Sequence, residues 1–275
     1  MRKFQNNMHI VEIRGGLGNQ MFCYAFGQNF ADVLYDKSEY GVSEKRPLDL
    51  ELYNIKAVYA TKEQTAPYIT RSKFPRFIRK WFNIPTYKNI TREKQSTLYE
   101  PELLQVKDSY FKGYFQNENY FKHMRPKILH DLTLKKPLDE ANAKLLDEIK
   151  QTNSVSIHVR RGDYFAAGFP ILGMEYYQKA IDYIAERVEN PHFYVFSNDF
   201  DWVRENIKTG YAQTIVDIND ESHGYYDLEL MRNCKHNIIA NSTFSWWGAW
   251  LNENPDKIVV SSQGDNIPSE WFMIK

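Results

Sequence analysis

The feature that most constrains the fold is a rhythm in the second half of the chain. Short apolar runs at 155–160, 193–197 (F-Y-V-F-S), 213–217, 237–240 (N-I-I-A) and 257–261 (K-I-V-V-S) alternate with helical patterns at 175–188, from Asp201, at 226–234 and at 244–252. Strands separated by helices cannot pair as hairpins, so the pattern predicts a parallel sheet covered on both faces. In such sheets ligands bind beyond the carboxyl ends of the strands. Those ends carry Arg160-Arg161, Ser197-Asn198-Asp199, Asp217 and Asn241-Ser242-Thr243. Cations, amides, hydroxyls and carboxylates on one rim suit a nucleotide, with arginines for phosphate and carboxylates for base or ribose.

The stretch Ser154 to Tyr164 reads S-V-S-I-H-V-R-R-G-D-Y. Val155, Ile157 and Val159 alternate with Ser156, His158 and Arg160, the period of a strand. Two adjacent guanidiniums where that strand ends are costly to bury without an anion, and their fork suits phosphate. For an arbitrary Arg-Arg pair, surface carboxylates would be the simpler partners; the position at the mouth of a buried sheet favours an anion site. His158 reads two ways, as a hydrogen-bond donor to phosphate or as a neutral packed strand residue.

The first half opens with a similar layout. His9 to Arg14 (H-I-V-E-I-R) is a short strand, followed by Gly15-Gly16-Leu17-Gly18-Asn19-Gln20 and a helical pattern from about Gln20 to Val33. Strand, glycine loop and helix can cradle a phosphate. However, Met21 stands where G-x-G-x-x-G requires its third glycine, and no Lys-Ser/Thr pair closes a P-loop. Residues 36–110 are broken by Pro47, Pro67, Pro75, Pro85 and Pro101. Within them, Arg71 to Phe82 interleaves basic and aromatic residues. It reads either as a segment peripheral to an anionic membrane or as a solvated basic helix packed by its aromatic face, and the second reading carries more weight. Asp108 to Gln116 predicts a strand and a helix follows from near Asn117. Another helix starts at Pro137, so the polar Lys150 to Asn153 marks a domain boundary, with domains at 1–150 and 151–275.

Composition removes whole classes of function. Lys plus Arg equals Asp plus Glu, 35 each, so no net charge drives the chain to nucleic acid. Two cysteines, Cys23 and Cys234, make neither a disulfide framework nor a cysteine-rich zinc site. No apolar run approaches the roughly 18–20 residues of a membrane span, and the N-terminus lacks a signal peptide's apolar segment. A cytoplasmic protein is the expectation, peripheral at the inner face of the membrane if 71–82 binds it. On that view the sequons Asn89-Ile90-Thr91 and Asn241-Ser242-Thr243 are chance matches.

Asp199-Phe200-Asp201 is a D-x-D, a pattern that often holds a divalent metal. Between a strand end and a helix start, though, Asp201 reads better as a helix N-cap, because the arginines would already neutralise a diphosphate. Ser242 to Trp250 (S-T-F-S-W-W-G-A-W) opens a helix just past a strand. Its hydroxyls and N–H groups can meet an anion, whereas Trp246, Trp247 and Trp250 at helical spacing read as core.

Taken together, several motifs carry a resemblance. They are Gly15 to Phe22, Gly113-Tyr114-Phe115-Gln116, His158 to Tyr164, Phe196-Ser197-Asn198-Asp199, and Asp227-Leu228-Glu229-Leu230-Met231 through Asn241 to Gly248. In this order, from residue 9 to about 252, they resemble glycosyltransferase family 11, the α-1,2-fucosyltransferases, of bacterial type. The resemblance implies an α/β, GT-B-like fold with two Rossmann-like domains whose parallel sheets face a cleft. It implies inverting transfer of fucose from GDP-fucose to the 2-hydroxyl of a galactose-terminated glycan, with no cofactor and no obligatory metal. Carried over by position, Arg160 stabilises the β-phosphate of leaving GDP, with His158 beside it. Gly16, Gly18 and Asn19 form the facing loop, and Arg161, Asn198, Asp217, Asn241, Ser242, Thr243, Phe244 and Ser245 complete the donor site. Asp163 either accepts the acceptor's proton or, with Arg161, braces the loop. A non-catalytic sugar- or nucleotide-binding protein of this fold is the competing reading. A nicotinamide-dependent enzyme fails on the incomplete glycine fingerprint.

Overall fold

The computed structural model describes residues 8–40, 47–69 and 90–274. The basic-aromatic stretch 71–82 lies outside them. The chain divides into two compact units, Met1–Lys135 and Lys136–Lys275, each built on a parallel sheet.

The first unit runs β1 (His9–Glu12), α1 (Leu17–Gly27), β2 (Val33–Asp36), α2 (Lys62–Ile69), β3 (Ile90–Arg92), β4 (Ser109–Lys112) and α3 (Arg125–Asp131). Among the described residues its strands lie in the order β2-β1-β4-β3, all parallel. An aromatic core fastens α1 to the sheet: Phe26 stacks on Phe115 with centroids 3.9 Å apart and meets Phe111 edge-on at 5.2 Å. The helix expected from Gln20 to Val33 ends at Gly27. Gly27 lies against Tyr35, whose hydroxyl donates to the Tyr24 carbonyl at 2.8 Å, and a Cβ on Gly27 would sit 2.5 Å from that hydroxyl. This close approach turns the chain into β2, whose four residues carry too short a pattern to announce a strand. The helix expected from near Asn117 resolves into two 3₁₀ turns, Glu118–Tyr120 and Lys122–Met124, ahead of α3.

The second unit runs α4 (Glu140–Gln151), β5 (Asn153–Val159), α5 (Gly162–Ala167), α6 (Met174–Ala185), β6 (Pro191–Ser197), α7 (Phe200–Asn206), β7 (Ala212–Val216), α8 (Gly224–Asn233), β8 (His236–Ile238), α9 (Thr243–Trp250), β9 (Val259–Ser262) and β10 (Phe272–Ile274). The division falls at Lys135/Lys136 rather than at the expected 150/151, because α4 packs on α8 and β5. The strand order is β10-β9-β8-β5-β6-β7, all parallel. β10 pairs with β9 at the sheet edge and had no counterpart in the sequence pattern.

This topology positions the site. The unit's first strand, β5, lies inside the sheet, with β6 and β7 following on one side and β8, β9 and β10 on the other. Strand order therefore reverses between β5 and β8, and such a switch point leaves a crevice at the carboxyl ends of the two strands. Alternation along β5 sorts its residues. Val155, Ile157 and Val159 are fully buried in a core with Tyr177, Ile181 and Ile184 of α6. Ser156 and His158 therefore point to the opposite face, where Ser156 accepts a hydrogen bond from Asn237 Nδ2 at 2.8 Å.

Candidate functional site

Where β5 ends, the chain turns into α5 through Arg160, Arg161 and Gly162. Asn198, just past β6, shapes that turn: its Oδ1 accepts from the backbone N–H of Arg161 at 3.0 Å and of Gly162 at 3.3 Å. The glycine leaves room for this approach, since a Cβ on Gly162 would lie 3.0 Å from Asn198 Nδ2 and press the amide aside. The R-R-G element and Asn198 thus form one construction, two strands deep.

The paired arginines separate. Arg161 Nε donates to Asp199 Oδ2 at 3.3 Å, and its guanidinium lies 4.1 Å from the Trp202 ring and 5.1 Å from Phe165. It is anchored toward α7 by Asp199 and Trp202. The side chain of Asp163 lies outside the described residues. The Arg160 guanidinium lies 5.7 Å from the Tyr164 ring, and the Tyr164 hydroxyl donates to the Asn241 carbonyl at 3.0 Å, tying the β5 end to the chain beyond β8. His158 is buried, its ring 5.6 Å from that of Phe244 on α9, and its carbonyl accepts from the Tyr177 hydroxyl at 3.2 Å.

Across the switch point, Ser242 caps α9, with its Oγ accepting from the Phe244 N–H at 3.4 Å. Asn241 Nδ2 donates to the Pro170 carbonyl at 2.8 Å. Ser245 is buried, its hydroxyl turned to the Ala240 and Ser242 carbonyls, so it closes the first turn rather than facing solvent. Trp246, Trp247 and Trp250 are buried, as their spacing predicts. The result is a helix N-terminus at the same crevice as the arginine-bearing turn, a pairing suited to an oligophosphate.

The D-x-D resolves differently from the expectation. Asp199, not Asp201, is the N-cap of α7, accepting from the Trp202 N–H at 3.2 Å while also pairing with Arg161. Asp201 sits in the first turn with its carboxylate fully exposed, 3.7 Å from Arg204. The capping residue comes earlier because the chain leaves β6 only two residues before it, at Ser197, whose hydroxyl accepts from the Asp199 N–H at 2.9 Å.

Asp217 stands apart from the β5/β8 rim. It follows edge strand β7, pairs with Arg204 Nη2 at 2.6 Å, and lines an open pocket with Asp139, Phe200, Asn219 and His223. Bonded to the pocket residue Asn219 is Asp227, which reads in sequence only as the first residue of a motif. Asp227 accepts from Asn219 Nδ2 at 2.8 Å, and Asn219 exchanges two 2.9 Å hydrogen bonds with Asn142 of α4. Burial pushes the Asp227 carboxyl up to about 7, against the opposing effect of the Asn219 bond. In sequence Asp227 is an unremarkable first-turn acid of α8, and only the fold surrounds it with other elements.

In the first unit, Asn19 Oδ1 accepts from Gln116 Nε2 at 2.9 Å, which joins the G-G-L-G-N-Q and G-Y-F-Q motifs. Gln20 is fully buried and staples the loop: Nε2 donates to the Gly15 and Pro47 carbonyls and Oε1 accepts from the Leu50 N–H. Gly15, at φ 73°, adopts the left-handed turn that leads into Gly16, the N-cap of α1. Gly18 lies buried within the first turn of α1. Beneath the loop, Glu12 is buried between Lys112 Nζ at 2.6 Å and Arg14 Nη1 at 3.6 Å.

Comparison with known proteins bears on this geometry. The sequence pattern of the family described as Glycosyl transferase family 11 matches residues 1–272. An O-antigen biosynthesis glycosyltransferase, WbnK, of Escherichia coli is 32% identical, the match covering 94% of this chain and 93% of the relative. An alpha-1,2-colitosyltransferase of the same organism is 33% identical over 96% of this chain and 92% of its own length. A galactoside alpha-(1,2)-fucosyltransferase 2 of Gorilla gorilla gorilla is 33% identical over 51% of this chain and 44% of its own.

Proposed function

We propose that this chain, which belongs to glycosyl transferase family 11 and is a glycosyltransferase, transfers L-fucose from GDP-β-L-fucose to the 2-hydroxyl of a galactose residue in a glycan, with inversion and without an obligatory metal. The observation that carries this reading is the β5/β8 crevice, where the turn bearing Arg160 and the capped N-terminus of α9 meet at the switch point.

The chemistry follows from what these groups offer. The galactose 2-hydroxyl attacks fucose C1, the bond from C1 to the β-phosphate oxygen breaks, and negative charge develops on the departing GDP. The transition state resembles an oxocarbenium ion, as in glycoside cleavage. Arg160, fixed through the Asn198-shaped turn, meets that charge where it develops, and the α9 N-terminus with Ser242 and Thr243 supports the diphosphate. With Asp199 occupied by its cap and by Arg161, the D-x-D is left with the exposed Asp201 beside Arg204, and Arg160 supplies the charge a metal would otherwise bring. Because Asp199 already braces Arg161, we assign Asp163 to the acceptor's proton. The relative named for colitose, a sugar lacking the 3-hydroxyl of fucose, makes the donor sugar the point to test.

The test is GDP release from GDP-fucose and, separately, GDP-colitose, with and without a galactoside and a chelator. We expect galactoside-dependent release from GDP-fucose that survives chelation. Arg160→Ala should lower kcat by about 10²–10³, the scale of losing one donor to developing charge. Abolition by chelator, or preference for the deoxy donor, overturns the corresponding part of the assignment. Near-normal turnover by Arg160→Ala removes Arg160 from the mechanism.

A further inference from the structure

Most large aromatic side chains in the described residues are buried, but two next to the arginine-bearing turn are not. Phe165 is 62% exposed and Phe169 58%. Apolar rings in water are unfavourable, and here the backbone that carries them is fastened in place. The Phe169 N–H donates to the Tyr164 carbonyl at 3.1 Å and Gly168, at φ 70°, closes the turn between them. Both ends of the segment are fastened to one residue beyond β8: Tyr164 donates to the Asn241 carbonyl, and Asn241 Nδ2 donates to the Pro170 carbonyl. The rings are also linked to both arginines. The Arg161 guanidinium lies 5.1 Å from Phe165, and Tyr164, 5.7 Å from the Arg160 guanidinium, lies 5.1 Å from Phe169.

We propose that Phe165 and Phe169 form the platform on which the acceptor galactose stacks, and that they determine the preference for galactose over glucose. This rests on the transfer reading above. In a β-galactoside the axial 4-hydroxyl leaves H3, H4 and H5 together on one face. That apolar face complements a phenyl ring and leaves the equatorial 2-hydroxyl at the edge, free to react. Glucose, with its 4-hydroxyl equatorial, carries H4 on the opposite face, so H3 and H5 lack that neighbour and the patch is smaller. A platform continuous with the phosphate-binding turn presents the acceptor beside the group that receives the charge of GDP.

The experiment uses the full chain and the variants Phe165→Ala, Phe169→Ala, the double alanine variant and Phe169→Trp. Acceptor kinetics with methyl β-galactoside at saturating GDP-fucose are read beside saturation-transfer NMR of the same galactoside with GDP present. Each alanine variant should raise the galactoside KM roughly tenfold, the size of one aromatic stacking contact. The donor dissociation constant should stay unchanged, Phe169→Trp should retain near-wild-type KM, and the double variant should lose discrimination against methyl β-glucoside. An unchanged galactoside KM in the double variant overturns the platform. So does loss of binding to phosphatidylglycerol vesicles with galactoside affinity intact, which would assign the rings to a membrane. If no galactoside is turned over even by the parent protein, the transfer reading fails, and the NMR signal alone decides: its loss in the double variant supports the platform, and its persistence refutes it.

Discussion

Replacing Arg161 by alanine removes three contacts at once, and their sum sets the expected effect. The side chain is 14% exposed and its partner Asp199 29%, so the 3.3 Å pair is better shielded than an ordinary surface bridge and is worth about 1 kcal/mol. The guanidinium 4.1 Å from Trp202 adds about 1 kcal/mol, and the packed stem of the side chain adds a smaller amount. The total, about 2–3 kcal/mol, corresponds to a fall in Tm of roughly 5–10 °C for a domain of this size. Calorimetry of the full chain reads this directly, and Arg161→Lys, which keeps charge but loses the planar fork, should fall between the two. A double-mutant cycle with Asp199→Ala should show coupling, because the two side chains share one contact. An Arg161→Ala protein that melts with the parent, while losing turnover as completely as Arg160→Ala, would refute the division of labour between the two arginines.

Other outcomes follow from the same geometry. Gly162→Ala drives a Cβ into the Asn198 amide; thermal melts should fall by a few degrees, and kcat by about 10-fold to 100-fold through displacement of the turn, whereas unchanged kinetics would show that the turn tolerates the shift. Asp227, with its carboxyl at about 7 against about 3.9 unfolded, binds a proton in the native state that the unfolded chain has lost. Stability therefore declines as pH rises between those values and stays low above the upper one. Asp227→Asn removes this decline and keeps an acceptor for Asn219, so its advantage over the parent should grow by about 2.5 kcal/mol from pH 5 to pH 8; equal differences in melting at the two pH values would contradict the assignment.

The parallel sheet of the second unit could be read from the chain because its strands are β-branched and apolar and are separated by amphipathic helices. The arginine-bearing turn was legible for the same reason: Arg160 and Arg161 fall where that pattern stops. What the sequence could not supply depends on distant contacts. Gly27 ends α1 because Tyr35 lies against it, eight residues later in the chain. The N-cap falls on Asp199 rather than Asp201 because α7 starts two residues closer to β6, and local sequence offers a carboxylate at both positions. The separation of Arg161 from Arg160 depends on Trp202, which a strand-level reading cannot place beside the turn. Asp227 is perturbed only by burial behind Asn219 and α4, brought together by the fold.

The most direct test of the account is the structure of the product. The full chain is incubated with GDP-β-L-fucose and lactose, and the trisaccharide is analysed by NMR for its anomeric coupling and for the carbon that is glycosylated. One new α-linked fucose on O2 of galactose is expected, formed with stoichiometric release of GDP. A β-linked product would contradict inversion, linkage at another hydroxyl would contradict the regiochemistry, and binding of GDP-fucose with neither transfer nor hydrolysis would make the chain a binding protein on a transferase fold.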